Sequence, residues 1–451
     1  MIKKTVQEIA RMAGGELIGC DDPAAFVCGV SIDSRTLNEH TLYIPMIGAH
    51  VDGHQFVEQV PGVSLWQRDH TPLPAHRPLI LVNDTEKALQ ALAASYMDTL
   101  SCKVIGITGS NGKTGTKDIF CSVFAQAKKT QKTQGNRNNE LGVPLTILEL
   151  DEDCEIAVIE MGVENPGDID FLATMVRPDI AVITNIGSAH MENLGSKMGI
   201  ARAKCEILKN LKPGGLFLYN SDSPEIAAVM ADMEIDPSKR IVSFGTDGMI
   251  SLTSPVETRK NGISFTCSAL QERVFMNTLG TFQAFNALPA IYAAKDAGLS
   301  ETQILYGLSH LEMTKMRTQL IEVGKAVILD DTYKSNPESA QAAIDTLMTL
   351  PTAKHYAFLS DMLDLGDNEK RLHEIIGEYA LEKGLNGVYC VGERSQATAE
   401  AAGKIGHWYA SKEAAVNDLL PLLDTDCALL VKGSRAMKMD EAVQMLREVE
   451  V

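Results

Sequence analysis

The chain has 451 residues, a net charge of −18, 45% hydrophobic residues and 22% charged residues, which suits about three domains of roughly 150 residues, each with its own core. An acidic balance of this size excludes broad binding to nucleic acid or to an anionic membrane, which need a basic surface, but it leaves room for a local basic pocket. No apolar run approaches the roughly 18 residues of a membrane span, and nine scattered cysteines with no Cys-x-x-Cys pair read as reduced thiols of a cytoplasmic protein.

The start, Met1 to Arg11, is charged throughout, and Thr5-x-x-Glu8 forms a capping box, so it opens a helix and is no signal peptide. Strand-like runs at Leu42-Tyr-Ile-Pro45 and Leu79-Ile-Leu-Val82, broken by Gly14-Gly15 and Asp52-Gly53, complete a small α/β domain over residues 1–84. Its loops carry Asp33-Ser-Arg35 and Asp52-Gly-His54, which read either as ligand contacts or as solvated turns. Thr85 then caps a helix with Leu89, Leu92, Ala93 and Tyr96 at helical spacing.

A central domain over residues 85–312 is organised around Val104 to Lys117. Val104, Ile105 and Ile107 predict a buried strand, Gly109 and Gly112 let backbone amides close on an anion, and a helix follows from Thr114 towards Lys132. Lys113 offers a point charge to terminal phosphates and Thr114 a hydroxyl to Mg²⁺, so the ligand is a nucleoside triphosphate with magnesium. The spacing departs from the usual loop, with Ile107 where a glycine is expected and Gly106 one residue early; taken alone, the stretch also reads as an ordinary turn.

Beyond it, Thr133 to Pro144 is a polar loop with Asn136, Asn138 and Asn139, read equally as amide contacts to a ligand or as turns. Strands at Ile156–Ile159, ending in Glu160, and at Ile180–Ile183, ending in Thr184-Asn185, predict a parallel sheet that binds ligands at its carboxyl ends, where Glu160 stands ready for Mg²⁺. His190 follows the second strand, and Lys204 sits on a helix spanning 199–208; spacing alone marks neither. Short β runs at 262–266 and 273–276 predict a meander, and Thr281 to Ala297 an Ala-rich helix containing Pro289. The third unit, residues 313–451, has strands at 326–330, 356–359, 388–391 and 428–431 alternating with helices, a Rossmann-like pattern whose strand ends carry Asp330 to Pro337 and Lys432-Gly-Ser-Arg435.

Several of these segments resemble one family together: Thr108-Gly-Ser-Asn-Gly-Lys-Thr114, Glu160-Met-Gly162, Thr184-Asn-Ile-x-x-x-His190, Ala203-Lys-x-Glu206, Asp330-Asp-x-Tyr-x-x-Asn-Pro337 and Val431-Lys-Gly-Ser-Arg435 are similar to the Mur ligases of peptidoglycan synthesis, in order along essentially the whole chain. Asp330 to Pro337, with Leu-x-Asp-Met-Leu-x-Leu-Gly366, resembles the member that adds D-alanyl-D-alanine to UDP-muramoyl tripeptide. The resemblance implies that Gly109, Ser110, Asn111, Gly112, Lys113, Thr114 and Gly115 hold ATP, together with Asn286, Arg317 and Asp331. Thr114 and Glu160 would hold one Mg²⁺; His190 and Lys204, the latter as a carbamate, would stand at a second. Ser34, Arg35, His54, Asn136, Asn138 and Asn139 would contact the UDP-muramoyl substrate, and Tyr333, Asn336, Lys432 and Arg435 the nucleotide or dipeptide. Three departures accompany it. Gly280-Thr-Phe-Gln-Ala-Phe-Asn286 replaces a Gly-x-His-Asn-x-x-Asn pattern, Lys334 stands where the dipeptide-adding members usually have Asn, and Ser360 where Gly is common.

The implied chemistry is ATP-driven activation of a carboxylate as an acyl phosphate followed by attack of an amine, with Lys113, Lys204 and His190 as the catalytic set and closure of the third domain against water. The partners are these small molecules and the expected state a monomer. A ligase for another amino acid, a folate-type polyglutamylating enzyme and, from a different class, a nucleotide-dependent switch remain the competing readings.

Overall fold

A computed structural model describes residues 1–259 and 261–448. Strand Lys103–Thr108 is the middle of a six-stranded sheet in which every neighbouring pair is parallel; the order runs Arg240–Phe244, Leu216–Asn220, Ile180–Ile183, Lys103–Thr108, Ile156–Glu160, Thr130–Lys132. The chain passes from Lys103–Thr108 to one side of it and later returns on the other, so that strand is the topological switch point where such sheets open a crevice. Side chains alternate across the sheet. Val104, Ala157, Ile159, Ala181 and Ile183 enter a core shared with the first 97 residues, while Ile105, Ile107, Val158 and Val182 enter a second core with helix Lys113–Phe124 and the Pro289-containing helix Phe282–Asp296. Fully burying such aliphatic side chains contributes roughly 1.5–3 kcal/mol each, so both cores fix the sheet firmly.

The first unit has a five-stranded mixed sheet in the order Glu16–Ile18, Leu79–Val82, Ser64–Gln67, Leu42–Tyr43, Val30–Ser31. Helix Val6–Met12 carries the expected capping box at Thr5 and Glu8. Helix Thr85–Met97 is capped one residue earlier than expected, by Asp84, whose carboxylate accepts from the amides of Glu86 and Lys87 at 2.9 and 3.0 Å; a carboxylate satisfies two free amides there and a first-turn threonine would not. The helix after the phosphate loop ends at Phe124, and Thr130–Lys132 is an edge strand where a longer helix was expected.

The meander Glu257–Arg259, Gly262–Phe265, Val274–Met276 is antiparallel. The third unit is a six-stranded sheet, parallel except for its first edge, ordered Gln319–Val323, Ala326–Asp331, Cys427–Lys432, Lys354–Ser360, Gly387–Val391, Gly406–Tyr409. Its two edge strands, Gln319–Val323 and Gly406–Tyr409, are largely exposed or half-buried. All nine cysteines are free, and no helix among the described residues is long and apolar enough to cross a membrane.

Candidate active site

The loop between Thr108 and Lys113 lies at the carboxyl end of the central strand, and its geometry depends on two glycines. A Cβ on Gly109, whose φ is +151°, would fall 1.8 Å from Thr184 Oγ1, and one on Gly112, at φ +78°, would fall 2.6 Å from Asn286 Oδ1. Neighbouring strands brace the loop. Thr184 Oγ1 donates to the Asn111 carbonyl at 2.5 Å, and the Asn111 amide donates to Asn185 Oδ1 at 2.9 Å. Ser110 Oγ is buried with no partner among the described residues, a polar atom left for an anion. Gly115 lies in the first turn of the helix, its face turned to Gln283.

Lys113 Nζ donates to the carbonyls of Gly109 and Ser110 at 2.7 and 3.3 Å. Burial, then the charges of Lys334 and Arg317, with Glu160 opposing, bring its pKa down to about 8. Thr114 and Glu160 meet as the sequence suggests: Thr114 Oγ1 lies 3.0 Å from Glu160 Oε2, and Asn138 Nδ2 donates to Glu160 Oε1 at 2.8 Å. A hydroxyl and a buried carboxylate beside a phosphate loop form a hard oxygen donor set that fits Mg²⁺.

His190 and Lys204 line a second cavity of about 280 Å³ beside the loop. His190 adopts a left-handed backbone conformation, φ 62°, and its pKa falls to about 3 through burial and then the charges of Lys334, Lys113 and Lys204, leaving a neutral imidazole. Lys204 is 1% exposed and has no hydrogen-bonding or acidic partner among the described residues. Burial first, then Lys113 and Lys334, push its pKa well below the ordinary lysine value. A neutral, nucleophilic amine results. As a donor set for a second Mg²⁺ the unmodified residues do not fit: His190 Nε2 already faces Lys334 Nζ at 3.2 Å, and Lys113 and Lys334 stand nearest it, with the carboxylates of Glu140, Glu164 and Asp168 elsewhere on the cavity wall.

The third unit contributes most of the remaining wall. Arg317 lies over the Tyr333 ring at 4.3 Å and donates to Thr114 Oγ1 at 3.1 Å. Asp331 accepts from buried Lys432 at 2.5 Å and from the Thr318 amide at 3.2 Å. Asn336 caps helix Pro337–Met348 and donates to Asn111 Oδ1 at 2.7 Å. Glu338, unmarked in the sequence, accepts from the amide and hydroxyl of Ser188 at 3.0 and 2.9 Å. Arg435 instead pairs with Asp440 at 2.8 Å, half exposed.

Of the residues expected at the sugar nucleotide, Asn136, Asn138 and Asn139 line a cleft between the first and central units with Asp33 and Thr36. Ser34 and Arg35 lie between those two lining residues, and the Arg35 guanidinium is engaged by Asp33 at 2.7 Å. His54 is not brought to this cleft. It is 2% exposed, stacks on His70 at 4.3 Å, and its Nδ1 is 2.7 Å from Asp52 Oδ1, while Nε2 accepts from the Gln67 amide at 3.4 Å. Only the fold could reveal that His70 completes this cluster.

A glycine loop, a buried hydroxyl–carboxylate pair and an arginine from a second α/β domain define a phosphate-loop nucleotide-binding protein. Residues 107–294 match the Mur ligase middle domain and residues 316–435 the Mur ligase, glutamate ligase domain. The UDP-N-acetylmuramoyl-tripeptide–D-alanyl-D-alanine ligases of Bacillus subtilis and Escherichia coli are 38% and 30% identical to the chain, with 99% of both sequences covered in each case. A crystal structure of MurF from Acinetobacter baumannii superposes with TM-score 0.91 at 29% identity over 99% of both chains. A Thermotoga maritima MurF ligase in complex with ADP gives 0.82 at 27%, covering 93% of this chain and 97% of that one. The chain belongs to the Mur ligase family.

Proposed function

We propose that the chain joins D-alanyl-D-alanine to UDP-N-acetylmuramoyl-tripeptide at the expense of ATP, forming the pentapeptide, ADP and phosphate in the cytoplasm. One observation carries this reading: three cavities share walls in series. The nucleotide cavity and the His190–Lys204 cavity have Lys113 and Lys334 in common, and the latter meets the cleft of the first unit at Asn138, Asn139 and Glu164. A sugar nucleotide bound over residues 1–84 could thus extend its peptide carboxylate to a phosphate held by residues 85–312, under a lid formed by residues 313–451.

The reaction follows from that juxtaposition. A carboxylate oxygen attacks the γ-phosphorus, the bond from phosphorus to the β–γ bridging oxygen breaks, and ADP departs. The dipeptide nitrogen then attacks the acyl carbon, and phosphate leaves with the oxygen that came from the carboxylate. Loop amides, Ser110 and Lys113 bind and orient the transferring group, Arg317 neutralises it from the third domain, and Asn286 backs the loop. Mg²⁺ held by Thr114 and Glu160 would supply charge neutralisation at the phosphates. An α-amine has a pKa of roughly 8, so about a tenth is neutral at pH 7 and no dedicated base is needed. Neutral Lys204 suits reaction with CO₂, and its carbamate would be an anion facing Lys113 and Lys334. Tyr333, Asn336 and Lys432 order the third-domain wall against which the dipeptide would lie.

Phosphate release measured with ATP, Mg²⁺ and UDP-muramoyl tripeptide tests the reading. Release that requires D-alanyl-D-alanine, with a pentapeptide product by mass, supports it. Release that instead requires a different amine would remove the assigned second substrate.

A further inference from the structure

We infer that the Lys334 ammonium is the second cation of the phosphoryl-transfer site, standing where a second divalent ion would meet His190, so that the chain works with the single Mg²⁺ of Thr114 and Glu160. The inference rests on the ligase reading of the cleft and specifies how that cleft neutralises its phosphates.

Position is the first argument. Among the described residues, Lys334 and Lys113 alone line both the nucleotide cavity and the cavity of His190 and Lys204, so Lys334 stands where a γ-phosphate would pass to a carboxylate. Its Nζ is 3.2 Å from His190 Nε2; the imidazole lone pair that a metal would take is accepting from an ammonium.

The root of the side chain is also fixed. The Lys334 carbonyl accepts from Lys432 Nζ at 2.7 Å, Lys432 is 1% exposed and bound to Asp331, and two residues on Asn336 is tied to both its helix and Asn111. Only the flexible stem is free, and the residue itself is exposed in the open cleft, so substrate oxygens can reach the two donors not given to His190.

Burial first, then Arg317, lower the pKa of Lys334, while Asp364, Glu164 and Glu160 favour its ammonium. A divalent ion added beside His190 would meet Lys113 and Lys334, whereas one lysine supplies a single positive charge with two donors left for phosphoryl oxygens beside the one given to His190. Anions that arrive with the nucleotide would pair with Lys334 directly.

Metal stoichiometry tests this without either ligase substrate. Mn²⁺ is titrated into the full chain with saturating adenylyl imidodiphosphate and bicarbonate, and free Mn²⁺ is read by electron paramagnetic resonance. One ion per chain is expected for the wild type and for Lys334→Arg, and two for Lys334→Asn. Two ions in the wild type, or one in Lys334→Asn, overturns the inference. Should Lys334→Asn lose its cooperative melt, Lys334→Met, which keeps the stem and drops the charge, is counted in its place with the same two outcomes. Failure of the analogue to bind the wild type would overturn the ligase reading, and this inference with it.

Discussion

Asn336 couples the third domain to the phosphate loop, and two substitutions separate its two jobs. Its Oδ1 accepts from the Ser339 amide at 2.9 Å and its Nδ2 donates to Asn111 Oδ1 at 2.7 Å, with the residue 3% exposed. Asn336→Ala removes a helix cap, costing about 1 kcal/mol, and a buried interdomain hydrogen bond, costing about another 1 kcal/mol. A loss of about 2 kcal/mol lowers the midpoint by roughly 4–8 °C for a unit of this size. Asn336→Ser keeps a capping oxygen but is too short to reach Asn111, so it should lose only about half as much. Unfolding followed through Trp408, the one tryptophan of the third domain, provides the assay, and a double-mutant cycle with Asn111→Ala isolates the interdomain bond at about 1 kcal/mol. Equal losses for Ala and Ser, or a coupling near zero, would refute the division.

Gly109→Ala should leave the fold cooperative yet abolish nucleotide-induced stabilisation, because its Cβ would fall 1.8 Å from Thr184 Oγ1; the wild type should gain about 2.7 kcal/mol at a hundredfold excess of ATP over Kd, and an equal gain in the variant contradicts the cradle. Lys113→Ala should cut phosphate release by about 10²–10³-fold or more, the scale of losing one preorganised charge-stabilising donor, with little change in melting; wild-type release would remove Lys113 from the chemistry. His190 has its folded pKa lowered to about 3 by burial and nearby lysines, below the roughly 6.5 of an unfolded histidine. The unfolded chain therefore binds the extra proton first, and this contribution to stability is full above about pH 6.5 and lost as the pH falls towards 3. His190→Gln should flatten the stability profile in that window, as denaturation at stepped pH would reveal; an unchanged profile would mean His190 titrates normally.

Much of the central site was legible because parallel strands deliver residues to one edge. Glu160 and Thr184 stand at strand ends in short β-branched runs of the kind a strand buried on both faces carries, and glycines 109 and 112 mark the loop even though its spacing is unusual. His190 and Lys204 carried no local signal; burial with no acidic partner among the described residues distinguishes Lys204, and burial depends on the fold. The interdomain contacts of Arg317, Lys334 and Glu338 depend on how one sheet docks on another, which no periodicity encodes. His54 was legible as a loop imidazole, but its stacking on His70 comes from a strand turn thirteen or more residues later. Edge strands Gln319–Val323 and Gly406–Tyr409 were missed because they face solvent and show little apolar alternation. Asp84 outcompeted Thr85 as a cap because its carboxylate reaches two amides.

The most direct test follows one oxygen atom. UDP-muramoyl tripeptide labelled with ¹⁸O in its terminal carboxylate is turned over with ATP, Mg²⁺ and D-alanyl-D-alanine, and the phosphate is examined by mass spectrometry. Passage through an acyl phosphate in this cleft requires one ¹⁸O in each phosphate formed from fully labelled substrate. Pentapeptide formation with unlabelled phosphate would contradict the mechanism.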